Sequence, residues 1–103
     1  MIKITICDDD KKMCRFLSDM ISKKLDSLHE PHTIACHTGA AGLLASSLDM
    51  DLLFLDIRMP GTGGISLAKQ LRQQNFSGAI IFVTMLKDYM LDAFEVEAFD
   101  YLC

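Results

Sequence analysis

The stretch DLLFLDIRMPGTGG, residues 51–64, indicates the fold class of this 103-residue chain most clearly. Its first part, Asp51 to Asp56, is apolar between two aspartates, which is typical of a central parallel strand buried on both faces. Its second part contains a proline and three glycines and is predicted to be a loop. Helical spacing follows in the apolar residues Ile65, Leu67, Ala68 and Leu71. A buried strand therefore ends in a carboxylate, just before a loop and a helix.

The same alternation of strand and helix extends in both directions. Further strands are predicted at Ile2 to Cys7, Thr33 to Cys36, Ala79 to Thr84 and Phe99 to Leu102. Helical spacing is found from Met13 to Leu28, from Thr38 to near Ser47, and from Met90 to Val96. The order β-α-β-α-β-α-β-α-β predicts one α/β domain, doubly wound, with a parallel sheet and helices on both faces.

Composition excludes several classes of protein. Ten basic and 14 acidic residues give a net charge of −4, and the basic residues are scattered, so we expect no direct nucleic-acid binding. No apolar stretch reaches the roughly 18 to 20 residues of a membrane span, and we expect a cytoplasmic protein. Cys7, Cys14, Cys36 and Cys103 are expected to be small buried hydrophobes with reduced thiols. His32, Cys36 and His37 could suggest a zinc site. Strand alternation, however, places His32 and Cys36 on one face and His37 on the other, which argues against shared coordination of one ion.

Ligands of open parallel sheets bind beyond the carboxyl ends of the strands, where Asp8, Asp9, Asp56 and Thr84 are predicted to converge. Three carboxylates in one pocket repel one another unless a cation is bound, and oxygen ligands alone suit Mg²⁺. A carboxylate beside such an ion can act as a nucleophile toward phosphorus, and Asp56 is best placed for this. Thr84 could then donate to a phosphoryl oxygen.

Each residue also has a purely structural interpretation. An aspartate at positions 8–10 could be the N-cap of the helix that follows, and a threonine at the end of a strand such as Thr84 is common for its β propensity alone. The convergence of three aspartates at one edge is much less expected by chance than any one of them.

Four motifs, in order, strongly resemble the receiver domain of bacterial two-component response regulators: ITICDDD at 4–10, LFLDIRMPGTGG at 53–64, IIFVT at 80–84 and AFEVEAFDYL at 93–102. The resemblance implies a flavodoxin-like five-stranded sheet of order 2-1-3-4-5. It implies that Asp56 accepts a phosphoryl group from a sensor histidine kinase, with Asp9 and Asp56 as Mg²⁺ ligands. Asp8 would bind the metal largely through water, and the Arg58 backbone carbonyl would be a further ligand.

The resemblance also implies that Thr84 and Tyr101 form a switch pair. The fourth helix face, around Leu86 to Val96 and Tyr101, would contact an output domain or partner and could form a homodimer. Residues 89–102 look most like regulators whose output is a LytTR-type DNA-binding domain, so the implied output is transcription regulation.

The chain ends at Cys103, before the lysine, the proline and the fifth helix that receiver domains usually carry. We therefore expect residues 1–103 to be a receiver domain from a longer regulator. Without the fifth helix, an apolar flank of the sheet beside the first helix would favour self-association or marginal stability.

Two other functions remain open. A small phosphatase resembling haloacid dehalogenases also uses an aspartate nucleophile and Mg²⁺, but it needs a second acid two residues later, where this chain has Arg58. A receiver-like module that binds proteins without phosphorylation is the other alternative.

Overall fold

The computed structural model describes residues 1–83. These residues form four strands and three helices in strict alternation: β1 (Ile2–Cys7), α1 (Lys11–Ser27), β2 (His32–His37), α2 (Ala40–Ala45), β3 (Leu52–Asp56), α3 (Gly64–Gln73) and β4 (Ala79–Val83). The strands are all parallel and lie in the order β2-β1-β3-β4. The predicted doubly wound α/β fold is thus confirmed for this part of the chain. The predicted fifth strand and fourth helix fall outside the described residues.

The helix α1 covers one face of the sheet. Its buried residues Met13, Cys14 and Leu17 pack against inward-facing side chains of the strands, namely Ile4, Ile6, Phe54 and Val83. Asp10 is the N-cap of α1, and its Oδ1 accepts hydrogen bonds from the backbone N–H groups of Lys12 and Met13 at 2.9 and 3.4 Å. One of the three consecutive aspartates therefore has the capping role that the sequence left open.

The helices α2 and α3 cover the opposite face. Leu43 of α2 and Leu67 and Leu71 of α3 are fully buried against Leu53 and Leu55 of β3. Alternate residues of β3 thus face opposite layers, and four of its five residues are buried, as predicted for a central strand. No helix in residues 1–83 combines the length and the hydropathy needed to cross a bilayer.

Element boundaries differ slightly from the predictions. The helix α2 ends at Ala45, because Ser46 has extended backbone angles and its hydroxyl bonds to the Leu43 carbonyl at 2.6 Å. One larger correction concerns Cys36, which was expected to be buried and is exposed. The strand β2 lies at the edge of the described sheet and is only partly covered, so its apolar pattern did not imply full burial.

Candidate metal centre

Three carboxylates meet at the carboxyl edge of the sheet. One oxygen from each of Asp8, Asp9 and Asp56 lies within 4.8 Å of the others. The strand register explains this proximity: Cys7 pairs with Leu55, so the next residues along the two strands, Asp8 and Asp56, come level with each other. Asp8 and Asp56 are 1% and 0% exposed, whereas Asp9 is exposed, so the cluster has two buried members and one at the surface.

Asp8 and Asp56 accept the same type of local hydrogen bond from the backbone. Oδ1 of Asp8 accepts a hydrogen bond from the backbone N–H of Asp10 at 2.9 Å. Oδ1 of Asp56 accepts one from the backbone N–H of Arg58 at 3.3 Å. In both cases an aspartate at a strand end accepts from the residue two positions later, the arrangement of an Asx turn. These backbone bonds orient the carboxylates relative to the loops.

The cluster fits one hard divalent cation. Direct ligands of a single Mg²⁺ lie about 3 to 4 Å apart, because Mg–O bonds are about 2.1 Å long and the geometry is octahedral. A set of three carboxylates within 4.8 Å meets this requirement when one of them acts through a water or rotates slightly. Among residues 1–83 this is the one group of three or more His, Cys, Asp or Glu side chains so arranged, and its donors are all oxygen.

Two cysteines beside the cluster were not predicted to have a role there. The thiol of Cys14 donates to the backbone carbonyl of Asp8 at 3.3 Å and so holds the chain that carries the carboxylate. Cys7 lies with its sulfur 3.7 Å from the Gly39 carbonyl and 3.8 Å from the Met59 sulfur. Burial, followed by the charges of Asp8, Asp56 and Asp9, raises the pKa of Cys7 to about 11. The Cys7 thiol is therefore neutral near neutral pH and acts as a packing group.

The first residue of α3 must be a glycine because of the site. A Cβ at Gly64 would meet the backbone carbonyl of Asp56 and would lie only 2.8 Å from the Ile57 Cα. The Gly64 N–H donates to the Ile57 carbonyl at 2.8 Å, which pins the start of α3 to the strand end. The glycine in the sequence motif thus lets the helix approach the backbone that positions Asp56.

The structure brings three of the predicted site residues together, Asp8, Asp9 and Asp56, and places Arg58 next to them through its N–H. Val83, the last described residue, pairs with Asp56 across the sheet. Thr84, Tyr101 and the predicted fourth helix face around Leu86 to Val96 lie outside the described residues. Three bonds beside the site were not predicted from the sequence: the Asp10 N–H to Asp8 Oδ1, the Cys14 thiol to the Asp8 carbonyl, and the Gly64 N–H to the Ile57 carbonyl. The first could have been found, because an aspartate two residues before the donor is typical of an Asx turn.

Comparison with protein families matches residues 4–103 to the response regulator receiver domain. The chain belongs to this family, whose members act in phosphorelay signalling. The sensory transduction protein LytT of Bacillus subtilis is 32% identical over 108 aligned positions, which cover 99% of this chain and 42% of that protein. The positive alginate biosynthesis regulatory protein of Pseudomonas aeruginosa is 34% identical over 94 positions, covering 91% of this chain and 38% of that protein. The sequence-based identification with receivers of LytTR-type regulators is confirmed.

Solved structures show the same fold. The response regulator TrrA of Thermotoga maritima, determined in complex with Mg²⁺-BeF, superposes with a TM-score of 0.70 at 24% identity, covering 82% of this chain and 70% of that one. A receiver domain protein from Clostridium thermocellum gives 0.69 at 15% identity, covering 96% and 79%. The chain spans about two-fifths of the length of the curated relatives it matches.

Proposed function

We propose that Asp56 is the phosphoacceptor of this receiver domain and takes its phosphoryl group from a sensor histidine kinase. The observation that carries the proposal is the cluster of Asp8, Asp9 and Asp56 within 4.8 Å at the end of two neighbouring strands. This arrangement has the charge and the donor atoms that bind Mg²⁺, and it contains a carboxylate positioned at the end of the central strand. Membership of the family supports the same reaction.

In this proposal the four metal-binding positions have separate roles. Asp9 and Asp56 would bind Mg²⁺ directly, Asp8 largely through water, and Arg58 through its backbone carbonyl. When bound, Mg²⁺ supplies neutralisation of the charge on the phosphoryl oxygens. Burial of Asp8 and Asp56 strengthens their attraction to a cation, because the effective dielectric constant inside a protein is far below that of water.

The transfer itself is a substitution at phosphorus. A carboxylate oxygen of Asp56 forms a bond to phosphorus while the bond from phosphorus to the donor nitrogen or oxygen breaks, and the leaving group takes up a proton from solvent. The Arg58 N–H donates to Asp56 Oδ1 and orients the carboxylate. The product is an aspartyl phosphate whose added negative charge is the signal.

Thr84 and Tyr101 are proposed as the switch pair that detects this charge, Thr84 by donating to a phosphoryl oxygen and Tyr101 by changing its packing. The fourth helix face around Leu86 to Val96 is the proposed contact for an output domain, a partner or a second copy. We propose that residues 1–103 act as the cytoplasmic receiver of a longer transcription regulator, as the names of the matching regulators suggest.

Phosphorylation by a small acyl phosphate or phosphoramidate in the presence of Mg²⁺ tests the proposal. Intact-mass spectrometry should detect one added phosphoryl group on the wild-type chain and none on Asp56→Asn. The matched control is Asp51→Asn, which removes the carboxylate directly before β3, at the end of the strand opposite Asp56, and should leave the adduct unchanged. A folded wild-type chain that keeps its unmodified mass with both donors would contradict the proposal and favour the phosphorylation-independent module.

The phosphatase alternative has less support. Position 58, where such an enzyme needs its second acid, is an arginine whose N–H faces Asp56, and the two other acids come from the end of β1. Repeated hydrolysis of a generic phosphomonoester by the wild-type chain, lost in Asp56→Asn, would restore that alternative.

A further inference from the structure

Cys14 and Cys36 are far apart in the sequence but lie against each other in the structure. Cys14 lies on α1 and Cys36 on β2, and their side chains are close enough for each thiol to shift the pKa of the other. Both are free cysteines. Nothing in the proposed phosphoryl transfer uses this pair.

The geometry of the α1–β2 interface accounts for the contact. At its other end, His32 Nε2 and Ser22 Oγ are hydrogen-bonded at 2.9 Å. As the crossover helix between parallel strands, α1 runs antiparallel to β2. Advancing four residues along the strand, from His32 to Cys36, covers about 13 Å. Going back eight residues along the helix, from Ser22 to Cys14, covers about 12 Å, so the two cysteines come level.

The two cysteines also lie on the faces of β2 and α1 that pack against each other. His32 and Cys36 lie on one side of β2 because side chains alternate along a strand. Ile34, between them on the same side, packs against the hydrophobic cluster that contains Cys14. Ser22 and Cys14 are eight residues apart, a spacing that lies within one helix face.

The two sulfurs differ in their access to solvent. Cys36 is exposed, whereas Cys14 is 4% exposed and packed in the core. Burial raises the pKa of both thiols, so oxidation proceeds through the small thiolate fraction of Cys36, the sulfur that a small oxidant can reach, and Cys14 beside it can resolve the product. We propose that Cys14 and Cys36 are a redox modification site that closes to an intramolecular disulfide when the protein meets a hydroperoxide.

The reaction balances with the hydroperoxide as oxidant. The Cys36 sulfur attacks a peroxide oxygen, the O–O bond breaks, and Cys36 becomes a sulfenic acid while an alcohol or water leaves. The Cys14 sulfur then attacks the Cys36 sulfur, the S–O bond breaks, and hydroxide departs with the Cys14 proton as water. Two thiols have then lost two electrons and two protons, and a dithiol reductant reverses the change.

Closure of the disulfide has a structural consequence at the edge of the sheet. It joins α1 covalently to β2 and removes the thiol proton that Cys14 donates to the Asp8 carbonyl at 3.3 Å. Because the disulfide itself requires neither Mg²⁺ nor phosphoryl transfer, its failure would leave the proposed function untouched.

Peptide mapping provides a direct test, because trypsin places the four cysteines in four different peptides. The full chain is treated with hydrogen peroxide at about pH 8, where the thiolate nucleophile is more abundant, and the remaining thiols are then alkylated. The expected product is a disulfide between peptides 13–15 and 25–58, within one molecule and lost on reduction, with Cys7 and Cys103 alkylated.

Single substitutions provide the controls. Cys36→Ser, at an exposed position, should fold normally and give no cross-link, Cys14→Ser should also give none, and Cys7→Ser should keep it. Circular dichroism verifies that each variant is folded. The proposal is overturned if Cys36 accumulates as sulfinic acid without a link to Cys14, if its disulfides join two molecules, or if both thiols remain alkylatable after peroxide treatment.

Discussion

Three consecutive aspartates, Asp8, Asp9 and Asp10, have different roles although they are identical in the sequence. Asp8 is buried and lies level with Asp56, Asp9 is exposed at the rim of the cluster, and Asp10 caps α1. The backbone of Asp10 also donates to Asp8 Oδ1 at 2.9 Å. Capping the helix and orienting the carboxylate are therefore done by different atoms of one residue.

This division of roles predicts the effect of changing Asp10. Asp10→Ala removes the side-chain acceptor and should lower the free energy of unfolding by about 1 kcal/mol. Asp10→Asn should lower it by much less, because the amide oxygen can still accept the cap hydrogen bonds. Urea denaturation followed by circular dichroism measures the difference. Asp19→Ala, at an exposed position within the same helix, is the control and should change stability by less than about 0.5 kcal/mol. Equal destabilisation by both alanine variants would show that the cap contributes nothing.

At the scale of elements, the junction between β3 and α3 joins the fold to the site. The chain leaves β3 at Asp56 and returns to it at Gly64, whose N–H bonds to the Ile57 carbonyl at 2.8 Å. The helix approaches so closely that a side chain at position 64 would meet the Asp56 backbone. The position of the carboxylate and the packing of α3 are thus coupled.

The coupling predicts contrasting effects of two neighbouring substitutions. Gly64→Ala forces α3 away from the Asp56 backbone, and we expect a loss of roughly 1–3 kcal/mol in unfolding free energy, with slower phosphorylation. Gly63→Ala places its Cβ 3.6 Å from the Ile57 carbonyl, an ordinary contact. Gly63 is the N-cap of α3, where alanine is less favourable than glycine, but its φ of −70° suits alanine, so this variant should lose less stability than Gly64→Ala. Thermal denaturation and the phosphodonor assay measure both effects. Similar behaviour of the two variants would refute the close-approach argument.

At the scale of the whole molecule, the two layers of helices bury a sheet whose functional edge concentrates negative charge. The chain as a whole has a net charge of −4, and three of its carboxylates lie within 4.8 Å. Carboxylates this close together repel one another, and a bound cation relieves that repulsion. The stability of the protein should therefore depend on the concentration of divalent cations.

Magnesium should raise the melting temperature of the wild-type chain. A ligand at 100 times its dissociation constant stabilises the native state by about 2.7 kcal/mol if it binds only that state. Differential scanning calorimetry with increasing MgCl₂ measures the shift. Asp9→Asn should abolish most of it, whereas Asp26→Asn, which removes an exposed carboxylate from α1, should not. An equal shift in wild type and Asp9→Asn would show that the cluster does not bind the ion.

Local patterns were enough to predict the alternation of strands and helices, the parallel sheet and the aspartates at the strand ends, because periodicity and turn residues are local properties. The strands Ile2–Cys7, Leu52–Asp56 and Ala79–Val83 lie where the apolar runs predicted them. Four motifs in order, among them the one with Asp56 and Gly64, carried the resemblance to the family. Thr84 and Tyr101, whose roles come from the resemblance, remain predictions.

Three facts came only from the three-dimensional arrangement: which aspartate faces the cluster and which caps a helix, that Cys36 is exposed, and that its thiol lies next to Cys14. These facts depend on strand register, on the position of β2 at the sheet edge and on the height of α1 above the sheet. Such relations join residues distant along the chain, and their energies come from packing in three dimensions. No local pattern of residue types contains that information.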